Sequence, residues 1–80
     1  MSQIALIFQY QGNNITVQCM SNEYLTDVYK RFGNKIGKDP KELIFYFNSY
    51  EVRPCHKTLD QLELKNSNVL NVVFNQVNCA

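Results

Sequence analysis

The amphipathic pattern of residues 21–37 constrains the fold of this chain more than any other feature of its sequence. Ser21 or Asn22 can cap the start of a helix there, and Gly37 can end it in a left-handed conformation. A single helix cannot bury its own apolar face, so the other segments must form the surface that covers it. The apolar residues of that face recur at a spacing of about 3.6 positions and are Leu25, Val28, Phe32 and Ile36.

The N-terminal part of the chain has the pattern of a β-hairpin. Residues 4–10 form a nearly continuous apolar run, typical of a strand at the centre of a sheet, and either set of alternate residues could face the core. Residues 15–19 alternate between apolar and polar side chains, and the Gly and Asn of residues 11–14 favour a turn. We therefore expect two antiparallel strands before the helix.

The C-terminal half adds three more strands. Residues 43–47 are rich in β-formers and predict a strand with Leu43, Phe45 and Phe47 on one face and Ile44 and Tyr46 on the other. Residues 48–49 form a two-residue turn signal, and residues 50–52 return as a short strand. The last strand is predicted at residues 69–74, and the leucine spacing within residues 58–64 favours a short helical turn before it. The predicted order of elements is therefore β-β-α-β-β-β.

Length and charge limit the size of the fold and the classes of partner. The chain has 80 residues, of which 45% are hydrophobic, and this is enough for one core and one domain. We expect that domain to span residues 1–80, with an ordered core at residues 3–75 and a loose tail at residues 76–80. The net charge of +1 and the pI of 7.7 give no reason to expect binding to nucleic acid or to a membrane.

The cysteines and the single histidine give no sign of catalysis. Three cysteines cannot all pair within the chain, and without a secretory signal they predict a reducing, intracellular and cytoplasmic location. Cys55 and His56 are adjacent but lack an orienting third group, and Cys19 and Cys79 add no paired zinc-ligand spacing. We therefore expect a protein that is not an enzyme and holds no metal or cofactor.

Five basic residues gather around the predicted end of the helix and form a secondary candidate site. They could contact an acidic partner such as a tubulin tail or a phosphate group. The alternative is a solvated helix end at which cations are stabilised by the helix dipole, and we favour that interpretation. The residues are Lys30, Arg31, Lys35, Lys38 and Lys41.

The order and spacing of these elements resemble the ubiquitin-like family over residues 3–74. The resemblance implies an α+β fold of the ubiquitin-like β-grasp type, a mixed sheet of four to five strands wrapped around one helix. It also implies that the first and last strands lie parallel at the centre of the sheet. The matching positions are Gly12, Ile15-Thr16, Leu25, Val28, Gly37, Asp39-Pro40, the strand 43–47 with its Asn48-Ser49 turn, and Thr58-Leu59 ahead of Leu70.

The resemblance further implies that partners bind the sheet face that the helix leaves open. Single exposed apolar residues need no explanation, whereas several on adjacent strands form a patch that does need one. Tyrosine is also enriched at protein interfaces. The residues expected on this face are Tyr10, Ile44, Tyr46, Tyr50, Asn71 and Val73.

The C-terminal residues separate two classes of ubiquitin-like protein. Conjugated modifiers of the family end in Gly-Gly, whereas this chain has Asn78-Cys79 at the matching place. The expected function is therefore noncovalent docking to a protein partner or self-association, as one domain of a larger scaffold or ubiquitin-pathway protein. Two alternatives stay open: a modifier with a divergent or further-processed C-terminus, and a regulatory domain of a ubiquitin-pathway enzyme.

Overall fold

The computed structural model of the protein describes residues 2–75, which form five strands and one α-helix. The sheet order is β2-β1-β5-β3-β4; β1 and β5 run parallel at its centre, and the other neighbours are antiparallel. This confirms the predicted α+β β-grasp. The elements are β1 (Gln3–Tyr10), β2 (Asn13–Met20), α1 (Leu25–Ile36), β3 (Leu43–Phe47), β4 (Tyr50–Glu51) and β5 (Val69–Phe74).

The core lies between one face of the sheet and α1. The sequence left the facing of the first strand open, and in the structure its even-numbered residues Ile4, Leu6 and Phe8 are buried. Ala5 and Ile7 therefore point to the opposite face, since side chains alternate along a strand. The facing is fixed by long-range pairing, because Phe8 lies opposite Leu70 in the parallel register with β5.

Four aromatic rings from three elements form the centre of the core. The ring of Phe45 stacks on Tyr29 at 3.7 Å between centroids, and Phe8 stacks on Phe32 at 4.5 Å. Tyr29 is fully buried, and its hydroxyl donates a 2.8 Å hydrogen bond to the carbonyl of Val52. The predicted helix stripe omitted Tyr29, whose polar end can be buried because that bond satisfies it.

The prediction that Ser21 or Asn22 caps the helix is wrong. The helix begins at Leu25, preceded by the extended residue Tyr24, and no side chain caps it. Backbone carbonyls of a distant loop accept hydrogen bonds from the first turn instead. The Leu25 N–H donates to the Lys57 carbonyl at 3.0 Å, and the Thr26 N–H donates to the Cys55 carbonyl at 3.3 Å. These bonds satisfy N–H groups that a helix start otherwise leaves without partners.

The end of the helix is as predicted, since Gly37 has φ 71° and lies in the left-handed region. The N–H of Lys38 then returns to the carbonyl of Gly33 at 3.0 Å, which is the closing bond of a Schellman motif. A Cβ atom on Gly33 would lie 2.5 Å from the carbonyl oxygen of Lys38. The glycine inside the helix is therefore required for this turn.

Candidate interaction surface

The face of the sheet opposite α1 carries apolar side chains on three adjacent strands. Ile44 lies opposite Val73 across β3 and β5, and Ile7 lies opposite Val69 across β1 and β5. Val73 is 46% exposed and Val69 is 38% exposed, whereas the other members are half-buried. Such a group on three adjacent strands is typical of a binding surface. We call it the open-face patch and define it as Ile7, Ile44, Tyr46, Val69 and Val73.

Polar side chains border the open-face patch and can set the orientation of a partner. Asn71 is exposed and lies between Tyr46 on β3 and Gln9 on β1, because each of these residues pairs with it. A shallow concavity at this place is lined by Gln9, Asn71 and Val73, together with Asn14 of β2. The amide groups can donate and accept hydrogen bonds at the edge of an apolar contact.

Four of the predicted residues therefore share this face: Ile44, Tyr46, Asn71 and Val73. Their role in binding stays a prediction. Sequence reasoning missed Ile7 and Val69. The alternation of residues 4–10 admitted both facings, and only the parallel register between β1 and β5 places Ile7 beside Val69.

Tyr10 does not lie on the open face as predicted. It continues the inward row of β1, is only 6% exposed, and packs edge-on against Phe32 with 6.2 Å between ring centroids. The sequence placed Tyr10 in the first strand but left the facing of that strand open, and the parallel pairing with β5 turns its even-numbered residues, including Tyr10, toward the core. Tyr10 is therefore a core residue.

The buried hydroxyl of Tyr10 leads to a stability prediction. Within residues 2–75 this oxygen has no hydrogen-bond partner. A buried, unsatisfied polar group costs about 1–3 kcal/mol, so Tyr10→Phe should raise the free energy of unfolding by about 1 kcal/mol or more. Denaturant unfolding measures the change. Tyr29→Phe is the matched control and should lower stability, because it leaves the carbonyl of Val52 without its donor. A destabilised Tyr10→Phe protein would show that the hydroxyl has a partner.

Tyr50 is exposed but lies on the other side of the sheet from the open-face patch. Directly paired residues of an antiparallel ladder share a face, and Tyr50 pairs with Phe47, which packs against the core. The turn between them consists of Asn48 and Ser49, both with positive φ, as the two-residue turn signal predicted. Tyr50 is 77% exposed, so it is accessible, but it cannot belong to the same contact as Tyr46.

The five basic residues do not form one patch. Arg31 forms an ion pair with Glu23 and donates a 2.8 Å hydrogen bond to the carbonyl of Gln18. The hydrogen bond from Arg31 lowers the pKa of Glu23 below its usual range. Neighbouring residues of a helix point about 100° apart. Arg31 therefore reaches β2, whereas Lys30 points toward the turn at Pro40.

The remaining lysines are spread around the end of the helix. Lys30 and Lys38 line a shallow groove, and the Lys38 ammonium lies 5.1 Å from the centroid of the Phe74 ring. Lys35 is in the last turn of α1, where the helix dipole favours a cation. Lys41 lines a separate depression together with Arg53. This arrangement agrees with a solvated helix end better than with a single basic site.

Within residues 2–75, the thiols of Cys19 and Cys55 are not arranged as a reactive or metal-binding cluster. Cys19 is buried, and burial raises the pKa of its thiol. Cys55 is partly buried, and His56 packs edge-on against Tyr24 with 6.0 Å between the rings. Among residues 2–75, no group of three His, Cys, Asp or Glu side chains could hold a metal ion. The predicted Asn78-Cys79 terminus and the loose tail lie outside the described residues.

Comparison with solved structures shows what this arrangement resembles. The NMR structure of the ubiquitin-like domain of an Arabidopsis thaliana protein superimposes with a TM-score of 0.85 at 14% identity, covering 100% of this chain and 85% of that one. A designed protein based on ubiquitin gives a TM-score of 0.80 at 15% identity, covering 98% and 95% of the two chains. The fold is therefore ubiquitin-like.

Sequence comparisons add nothing to that assignment. No protein-family profile matches the chain, and no curated protein matches it. In the part of the chain that the structure describes, no helix is long and apolar enough to cross a membrane. At these identities the structural similarity establishes the fold alone, and the function has to be argued from the surface.

Proposed function

We propose that this chain is a noncovalent protein-interaction domain of ubiquitin-like fold that docks a protein partner through the open-face patch. The observation that supports this proposal is the placement of Ile7, Ile44, Tyr46, Val69 and Val73 on one face of three adjacent strands. An exposed apolar patch rimmed by polar groups is typical of protein-binding sites. The domain would act without catalysis or cofactor, in an intracellular protein, as one part of a scaffold or a ubiquitin-pathway protein.

Tyr46 is the residue on which the proposal is most easily tested. It lies on β3 beside Ile44 and opposite Asn71, midway between Val69 and Val73 along the strand direction. A large aromatic side chain at the centre of an interface commonly contributes 2 kcal/mol or more to binding, which is about a thirty-fold change in affinity. Aspartate at this place would also bury a charge against the partner without an offsetting group.

We therefore expect Tyr46→Asp to reduce partner binding at least about thirty-fold while the protein stays folded. The measurement is affinity capture from a lysate of the source organism, quantified by mass spectrometry against the wild-type domain. Tyr50→Asp is the matched control, since it makes the same substitution at an exposed tyrosine on the other side of the sheet. Lys30→Asp tests the groove at the end of the helix.

The outcomes separate the surfaces. If Tyr46→Asp loses a set of proteins that Tyr50→Asp and Lys30→Asp retain, the open-face patch is the docking surface. If Lys30→Asp alone loses them, the partner binds the basic groove and the proposal is wrong. Circular dichroism of each variant checks that the fold is intact, as expected because these side chains lie outside the core cluster.

A further inference from the structure

The outer edge of β2 is an unprotected strand edge. β2 lies at one end of the sheet order, and all eight of its residues pair with β1 in one continuous register, so the strand contains no bulge. The sequence of Asn13–Met20, NNITVQCM, has no proline and no charged residue. Natural edge strands are usually protected against pairing by such features or by being very short. The other edge strand, β4, is protected in this way, since it has only two residues.

The hydrogen-bond pattern shows which groups of β2 face outward. The Ser21 N–H donates a hydrogen bond to the Ser2 carbonyl at the end of the β1–β2 pair. Because hydrogen-bonded pairs alternate along an antiparallel ladder, the backbone N–H and C=O groups of the odd-numbered residues of β2 point toward β1. The backbone groups of Asn14, Thr16 and Gln18 are therefore directed away from the sheet. The Gln18 carbonyl confirms this direction, because it accepts the outside contact from Arg31 at 2.8 Å.

One end of this edge is already closed within the chain. Met20 donates its N–H to the Glu23 carboxylate at 2.7 Å and accepts from the Glu23 N–H at 3.0 Å. The Glu23–Arg31 ion pair therefore covers the Gln18 carbonyl and the part of the edge beyond residue 18. The open part runs from residue 14 to residue 18 and has Thr16 at its middle.

We propose that this open edge pairs with the same edge of a second copy of the chain, antiparallel, with the two-fold axis at Thr16. In this register each Thr16 N–H donates to the Thr16 carbonyl of the other copy, and each Gln18 N–H donates to the Asn14 carbonyl of the other copy. The Gln18 carbonyl keeps its bond to Arg31. The two five-stranded sheets then become one continuous sheet.

The side chains of the edge favour a second copy over an unrelated strand. Asn14, Thr16 and Gln18 all point to the open face, so the axis places threonine against threonine and each Asn14 beside the Gln18 of the other copy. Hydroxyl and amide groups in such cross-strand positions can hydrogen-bond to each other. The strand carries no charge, and the adjacent Glu23–Arg31 pair is neutral as a unit, so two copies meet without like-charge repulsion.

The residues of the edge that face the helix side of the sheet, Ile15 and Val17, also favour this pairing. Ile15 is only partly buried, although it packs against the core. In the proposed register it lies opposite Val17 of the other copy, and the neighbouring strand covers its exposed part. The contact is small for a protein interface, so the dimer should be weak and should form at high protein concentration.

The test uses substitutions at the two-fold axis. Thr16→Lys and Thr16→Glu each place like charges directly opposite one another and should weaken dimerisation several-fold. An equimolar mixture of the two variants places lysine against glutamate and should recover dimerisation at least to the wild-type level. Sedimentation equilibrium from micromolar to millimolar protein measures all four samples. Thr16 is exposed, so neither charge should disturb the fold.

Amide exchange locates the contact independently. As the concentration of the wild-type protein rises, exchange of the Thr16 and Gln18 amides should slow, whereas the Ile15 and Val17 amides, already bonded to β1, should not change. Thr16→Pro should raise the dimer dissociation constant about tenfold or more, because it removes a donor from each side of the axis. If Thr16→Pro fails to fold, the charge variants still decide the proposal.

Two results would overturn the proposal: a wild-type protein that stays monomeric up to millimolar concentration, or a dimer that the charged Thr16 variants leave unchanged. The proposal is independent of the docking function of the open-face patch. Tyr46→Asp should leave the dimer intact, because β3 and β2 are separated in the sheet by β5 and β1. A dimer lost only with Tyr46→Asp would place self-association on the open face instead.

Discussion

Replacing Phe45 with alanine should lower the free energy of unfolding by about 3–5 kcal/mol, the usual cost of removing a buried phenylalanine. Phe45 is 2% exposed and stacks on Tyr29 with ring planes 10° apart. Its edge contacts with Phe8 and Phe32 have centroid distances of 5.9 and 5.8 Å. Alanine would lose the transfer energy of the ring and leave a cavity between the sheet and the helix. Urea unfolding followed by circular dichroism measures the change.

Val73→Ala is the control for that experiment, since Val73 lies on the neighbouring strand but on the open face. We expect Val73→Ala to lower the free energy of unfolding by less than about 1 kcal/mol, because intrinsic strand propensities differ by no more than that. An 80-residue domain has a total stability of about 4–12 kcal/mol, so Phe45→Ala could unfold the protein. Phe45→Leu then gives a smaller, measurable loss. A cost for Phe45→Ala no larger than that of Val73→Ala would contradict the described core.

Gly33→Ala should destabilise the protein by about 1–3 kcal/mol, the usual cost of overpacking, although alanine is the better helix former by about 1 kcal/mol. The added Cβ would meet the carbonyl oxygen of Lys38 at 2.5 Å and the ring of Pro40 at 3.0 Å. The first contact is with backbone that the Schellman turn holds in place, so a side-chain rotation cannot relieve it. Thermal unfolding measures the loss.

Asn34→Ala is the matched control for this change, because it adds alanine at the next position of α1 on an exposed site. Helix propensity predicts a neutral or slightly stabilising effect there. If Gly33→Ala were also stabilising, the Lys38 turn could move away at little cost, and the glycine would have no packing role.

The sequence alone predicted the features that depend on local periodicity. The 3.6-residue spacing of Leu25, Val28 and Phe32 identified the helix face, and all three side chains are fully buried. The alternation around Phe45 identified both faces of β3, and the left-handed Gly37 ended the helix where expected. Each of these features is decided by residues a few positions apart.

The features that depend on distant contacts could not be predicted in this way. The first N–H groups of the helix donate to the carbonyls of Cys55 and Lys57. The prediction that Ser21 or Asn22 caps the helix was therefore wrong. Tyr10 was assigned to the open face because the facing of β1 depends on its pairing with β5. The need for glycine at position 33 arises from the close approach of the Lys38 carbonyl, which the local sequence pattern does not show.

The measurement that tests the open-face patch most directly is an NMR titration of the isotope-labelled domain with a captured partner. We expect the amide and methyl signals of Ile7, Ile44, Val69 and Val73 to shift or broaden together, because these residues share one face. The Tyr46→Asp domain should show no such changes at the same concentrations. Perturbations confined instead to Lys30, Lys38 and the end of α1 would contradict the account and place the partner in the basic groove.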